Sequence, residues 1–264
     1  MKNTNVYDYD LNPVLEASCD SDLAQLVDFL KKKTSEELTK QDAYKLHAPN
    51  HSKYADLIAK EIRDMGGNTF ANMMRGWEGP SYHEIVCNVA DKLKVPYNKS
   101  KDTSLIEDSI LEAILKRTLD SMSEEERQKL LEEVGADSKM SKGGATSAVL
   151  IAAFRAGGFK SYQLTLIIAN EIAKFILGRG LSFATNRTIT KLASILSGPI
   201  GWTLSGIWTA YDIAGPAYRV TIPCVIHIAM LRKKMNSLQC EGCGSTLLDP
   251  TVKFCPECGT KQAA

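Results

Sequence analysis

Ser104-Leu-Ile-Glu-Asp-Ser-Ile-Leu-Glu-Ala-Ile-Leu-Lys-Arg-Thr-Leu119, followed by Ser123-Glu-Glu-Glu126 and a run to Gly135, decides the fold class of this chain. Leu105, Leu111, Ile114, Leu115 and Leu119 recur at helical spacing, and both segments open on Ser-x-x-Glu. In that pattern the serine and the glutamate satisfy each other's exposed backbone amides, so it marks a helix start. Glycine at 135 supplies a stop. The Glu124–Glu126 cluster is read as favourable charge at a helix N-terminus before anything catalytic.

Outward from there the same punctuation repeats. Ser21 is read as the cap of a run to Lys33 that places Leu23, Leu26, Val27 and Leu30 on one face. Thr34-Ser-Glu-Glu37 reads as another capping box. Tyr54, Leu57, Ile58, Ile62 and Met65 keep helical spacing up to Gly66-Gly67. Pro80 is expected to open a helix reaching Val95. After Ser141-Lys-Gly-Gly144 the composition turns rich in Gly, Ala, Ile and Leu. Helices are expected over 145–156, 160–177, 182–196, 199–213 and 217–234, with Pro223 kinking the last or moving its start. The expectation is an all-α protein: a multi-helix body of two helical parts, 1–140 and 141–236, then a small zinc ribbon with a β-hairpin over 237–264.

The ribbon rests on Cys240-Glu-Gly-Cys243-Gly and Cys255-Pro-Glu-Cys258-Gly, with eleven residues between the inner cysteines. Paired CxxC turns at this spacing make a four-sulfur tetrahedral site suited to one structural zinc ion. Ser245–Phe254, with a turn at Asp249-Pro250, reads as the hairpin between them. A redox CxxC pair and a disulfide scaffold fit less well, because redox motifs come singly and no secretory signal is visible. A site closed by four protein ligands has no open position for catalysis. Cys19, Cys87 and Cys224 read as buried small hydrophobes, and the expected address is the cytoplasm.

At 264 residues, with 44% hydrophobic and 24% charged residues, the chain is an ordinary globular one. Its net charge of +1 hides a division. Residues 1–140 hold 19 Lys and Arg against 26 Asp and Glu; residues 141–264 hold 13 against 5. Such asymmetry implies a partner for the basic half, docking of one half on the other, or separately solvated surfaces.

Leu192–Tyr211 is a run of twenty uncharged residues, long enough to cross a bilayer. Small residues recur every fourth position at Ala193, Ser197, Gly201, Ser205 and Thr209, with a second row at Gly206, Ala210 and Ala214. Such ridges let helix backbones approach closely. Trp202, Trp208 and Tyr211 add amphipathic surface. Ser-Gly-Pro interrupts the run, so burial in a helical core outweighs membrane contact, with conditional exposure to a partner or membrane between the two. Arg232, Lys233 and Lys234 form a basic cluster that could meet anionic headgroups or nucleic acid. The ribbon itself is net acidic, so nucleic acid is not favoured.

Gly198-Pro-Ile-Gly-Trp202, the Gly206–Pro223 stretch with its Ala-Tyr-Arg-Val-Thr-Ile-Pro string, Asp22–Leu30, Gly66–Ala71 and Ala156–Leu166 resemble the bacterial YaaW family. The resemblance spans about residues 8 to 235 and leaves out the ribbon. It implies a distant grouping with a chaperone domain used in assembling the ubiquinol–cytochrome c reductase, hence a helical, non-enzymatic assembly role. No catalytic residues come with it.

Phosphate-binding, nucleophile-elbow and HExxH motifs are absent from the sequence, and no small-molecule substrate is identified. His47 and His51 flank Pro49 and read as a surface turn; His83-Glu84 reads as a surface pair. Gly198, Gly201, Trp202, Gly206, Trp208, Asp212, Tyr218, Arg219 and Pro223 are the candidates for packing or interaction. The leading reading is an assembly, chaperone or adaptor protein with a protein partner. RNA or ribosome binding through the basic half stands second, and an enzyme around Asp212 and Arg219 third.

Overall fold

The structure, a computed structural model, describes residues 6–33, 37–67, 79–135, 145–178, 218–237, 247, 252–255 and 258–262. Among these residues the body is helical throughout. In order come α1 (Asn12–Glu16), α2 (Asp20–Lys33), α3 (Glu37–Lys40), α4 (Asp42–His47), a 3-10 turn (His51–Tyr54) and α5 (Ala55–Gly66). Then follow α6 (Tyr82–Lys92), α7 (Thr103–Ser121), α8 (Glu124–Glu133), α9 (Thr146–Arg155), α10 (Gly158–Leu177) and α11 (Tyr218–Ser237).

Local chemistry accounts for most of these boundaries. At α8 the capping box forms as written: Ser123 N–H donates to Glu126 Oε2 at 2.8 Å, and Glu126 N–H to Ser123 Oγ at 3.3 Å. Gly135 follows at φ +64°. At α6 the cap is Ser81, whose hydroxyl accepts from Glu84 N–H, so Pro80 stays outside the helix. Lys94 at φ +52° turns the chain out before Val95 is reached. α7 starts at Thr103, one residue before the expected box, and Glu107 is not its capping partner. α2 starts at Asp20, which puts Ser21 inside the first turn rather than at its cap. α10 ends in Gly178 at φ +73°, a left-handed cap that favours glycine.

Two helices are buried all round: α10 from Ser161 to Ala173 and α11 from Val220 to Leu231. Helices apolar on every face belong in the middle of a domain. They are the most extensively packed pair among the described residues. Asp22 faces Tyr162 near the start of α10 and Lys234 near the end of α11, so the two run antiparallel. α11 also packs on α1, α2, α5, α6 and α7. One continuous core therefore runs from Leu11 to Leu231. Pro223 sits within α11, buried, where it cannot donate to the carbonyl four residues back.

Several expectations meet the coordinates differently. No strand occurs among the described residues; the only β feature there is an isolated antiparallel bridge, Phe254 to Lys261. It flanks the second CxxC turn; most of the expected Ser245–Phe254 hairpin lies outside the described residues, as do the helices expected over 182–196 and 199–213 and residues 34–36 of the Thr34 box. His51 is buried rather than on a surface turn, its Nδ1 in a short hydrogen bond with Tyr54 Oη. Cys87 and Cys224 are buried as expected, and Cys19 is exposed. His83 spans the α6–α7 junction, with Nδ1 2.8 Å from Thr103 Oγ1 and Nε2 3.0 Å from the Lys99 carbonyl.

Candidate functional site

Three consecutive bases near the end of α11 meet three carboxylates of the acidic half. Cations suit a helix C-terminus, where the backbone dipole is negative. Successive residues on a helix point about 100° apart, so a run of three fans outward. Arg232 Nε reaches Glu107 Oε2 on α7 at 2.9 Å, Lys233 Nζ reaches Asp108 Oδ1 at 2.8 Å, and Lys234 Nζ reaches Asp22 Oδ2 on α2 at 2.8 Å. Lys233 also stands over the Phe154 ring, 4.7 Å from its centroid. The cluster assigned from sequence to membrane or nucleic-acid contact thus already faces internal acids.

Arg232 is the most deeply committed of the three. Its Nη2 donates to the Asp10 carbonyl at 2.6 Å. Glu107 is 1% exposed and also accepts from Tyr82 Oη at 2.7 Å. Burial pushes the Glu107 carboxyl upward, while Arg232 and Tyr82 oppose that rise. Burial likewise lifts the Tyr82 phenol well above its usual range. A carboxylate in this position is tolerable only because the guanidinium supplies opposite charge and directed donors.

Beside this pair a second polar seam ties the N-terminal segment down. Asp8 accepts from Tyr82 N–H at 2.7 Å and from Asp10 N–H at 3.0 Å. Arg63 donates to the carbonyls of Pro80, Val6 and Gly79 at 2.9, 2.7 and 3.1 Å. Gly79 lies so close to the Arg63 backbone that any Cβ there would overlap it. Deeper in, the His227 Nε2–H donates to the Asp22 carbonyl at 2.9 Å, since a carbonyl can only accept. Burial lowers the His227 pKa to about 4, so the ring is neutral at pH 7.

A shallow groove between α7 and α9 is lined by Lys116, Ser147, Ala148, Ile151, Ala152, Arg155 and Ala156. Its two bases converge on Glu112: Lys116 Nζ at 2.6 Å, and Arg155 through Nε and Nη2 at 2.8 and 2.7 Å. The Arg155 fork holds the Glu112 pKa down to about 2. This is a fourth ion pair between the two halves of the sequence.

Of the other sequence candidates, Tyr218 is partly buried at the start of α11 with the Lys92 ammonium 5.3 Å from its ring centroid. Arg219 is exposed and Pro223 is buried. Gly198, Gly201, Trp202, Gly206, Trp208 and Asp212 lie outside the described residues, as do Cys240 and Cys243. Cys255 is buried and Cys258 exposed, at the two ends of a turn closed by Gly259 N–H to the Cys255 carbonyl at 2.9 Å. Sequence reading missed Glu107, Tyr82, Asp8 and Asp22 as a set. The only signal for them was the opposite charge of the two halves, which says that pairing can occur but not where.

A buried helical pair, with the last turn of α11 pinned by salt bridges, defines an all-helical body, and sequence relationships place it in a family. The chain belongs to the ubiquinol–cytochrome C chaperone family, which matches residues 50–228. It is 47% identical over 234 residues to a UPF0174 protein of Helicobacter pylori strain J99, covering 86% of this chain and 92% of that one. A second UPF0174 protein of that strain is 39% identical over 208 residues, covering 77% of this chain and 99% of its own length. The UPF0174 protein YaaW of Escherichia coli K12 is 32% identical over 216 residues, 79% of this chain and 85% of that one. No solved structure matches.

Proposed function

We propose that the protein is a non-enzymatic assembly or chaperone-like factor whose helical body offers the uncharged Leu192–Tyr211 run to a hydrophobic protein partner. One observation carries the reading. α10 ends in an exposed Phe175 with Ile176 and Leu177 half-buried, and the chain leads from there at Gly178 toward that run, returning at Tyr218. An exposed apolar helix end, followed further along the sequence by that uncharged run, suits an apolar client. Membership in a chaperone family supports the same class. Residues 237–264, beyond the family match, add a separate contact module.

The RNA reading needs Arg232, Lys233 and Lys234, yet each already faces a carboxylate, and a phosphate would have to displace it. A photo-crosslinker placed in cells at Trp202 or Trp208 tests the choice, with exposed Glu133 as control. A discrete protein adduct from 202 and 208 that is absent from 133 is expected. Adducts to lipid or RNA would transfer the role to a membrane or nucleic acid, and identical patterns from all three positions would end the proposal.

A further inference from the structure

We propose that Cys240, Cys243, Cys255 and Cys258 hold one zinc ion as four thiolates, a structural site that is independent of the helical body and goes beyond its assembly role. The second half of the site has its turn in place. Gly259 N–H donates to the Cys255 carbonyl at 2.9 Å, which brings the two ends of the second CxxC together. Gly259 adopts φ +72°, a conformation that disfavours residues with a side chain. The flanks then run back antiparallel: Cys255 N–H donates to the Thr260 carbonyl at 2.9 Å, and Gln262 N–H to the Lys253 carbonyl at 3.0 Å. The Phe254–Lys261 bridge lies between these bonds.

The sulfur chemistry agrees with this geometry. Cys258 Sγ lies 3.0 Å from Thr260 Oγ1. A thiolate can only accept, so the hydroxyl would donate to it, the outer-sphere support that zinc-bound sulfur receives. Cys255 packs with Leu247 and Val252 in a small cluster of its own. Leu247 stands four residues after Cys243, and four residues of chain reach at most about 14 Å. That length of chain lets Cys243 reach the second turn. A segment of this length is too short to bury a sufficient core of its own without a metal or cross-link. Four protein sulfurs close the tetrahedron, so the metal's role is structural and its binding is folding.

Full-length protein purified reduced and without chelator should carry one zinc per chain by native mass spectrometry. X-ray absorption should show four sulfurs at about 2.3 Å. Cys243→Ser and Cys258→Ser should each lose the metal to a chromophoric chelator, while Cys19→Ser keeps it. Thr260→Val should keep the stoichiometry and weaken retention about tenfold. A reduced chain with no zinc, nitrogen or oxygen in the first coordination sphere, or zinc retained after all four cysteines are replaced would each overturn the proposal. Chelation should leave the helical circular dichroism of the body unchanged, so failure here is separable from failure of the assembly role.

Discussion

At the scale of single residues, the most consequential group is Glu107, a carboxylate with almost no access to water. Removing its guanidinium partner leaves an unpaired buried charge, which typically costs about 3–5 kcal/mol. Arg232→Met is therefore expected to lower unfolding stability by about that much in urea titration. The double variant Glu107→Gln/Arg232→Met should recover most of the loss. Equal loss in the two would mean that packing, not charge, sets the cost. His227 makes a pH-dependent prediction. Its pKa is about 4 in the fold against 6.5 when unfolded. A lowered imidazole pKa means that the unfolded chain takes up the proton first as pH falls. The stability from neutral His227 is thus complete above about pH 6.5 and lost progressively toward pH 4. Between pH 7 and 5 that loss is about 2 kcal/mol. His227→Gln should flatten this part of the stability profile, and an unchanged slope would reassign it to other groups.

At the scale of elements, what could be read from sequence depended on how local the determining interaction was. The α8 start was fully legible because Ser123 and Glu126 are each other's partners across one turn. The identical Ser104-x-x-Glu107 pattern misled for a physical reason. Glu107 is drawn inward by Arg232, 125 positions away, and Asp102 stands at the cap position instead. The Pro80 start failed in the same way, because the hydroxyl of Ser81 offers the backbone a hydrogen bond that proline's ring cannot. The helical class and the apolar character of 160–177 and 217–234 were visible. That these two form the buried centre was not, because an all-round apolar helix has no face to say what it packs against.

At the scale of the whole molecule, the opposed charges of the two halves are resolved internally through Asp22–Lys234, Glu107–Arg232, Asp108–Lys233 and Glu112–Arg155. Among the described residues, none after Ser237 takes part in these pairs. A chain shortened to end at Ser237 is expected to unfold cooperatively, with a stability within about 0.5 kcal/mol of the full chain's, as for changes away from any buried network. A chain shortened to end at residue 217 loses the helix on which α1, α2, α5, α6, α7 and α10 all rest and should not fold. If the shorter chain folded and the longer one did not, the hub would lie elsewhere.

The central position of α11 also sets an order of events in time. Asp22 waits for Lys234, 212 positions later in the chain, and such distant contacts close slowly. A ribosome adding about 5–20 residues per second makes the acidic helices many seconds before their central strut exists. Through that interval Leu23, Leu26 and Leu30 have no α11 to bury them, so the growing chain carries exposed apolar surface until its own closing helix is made.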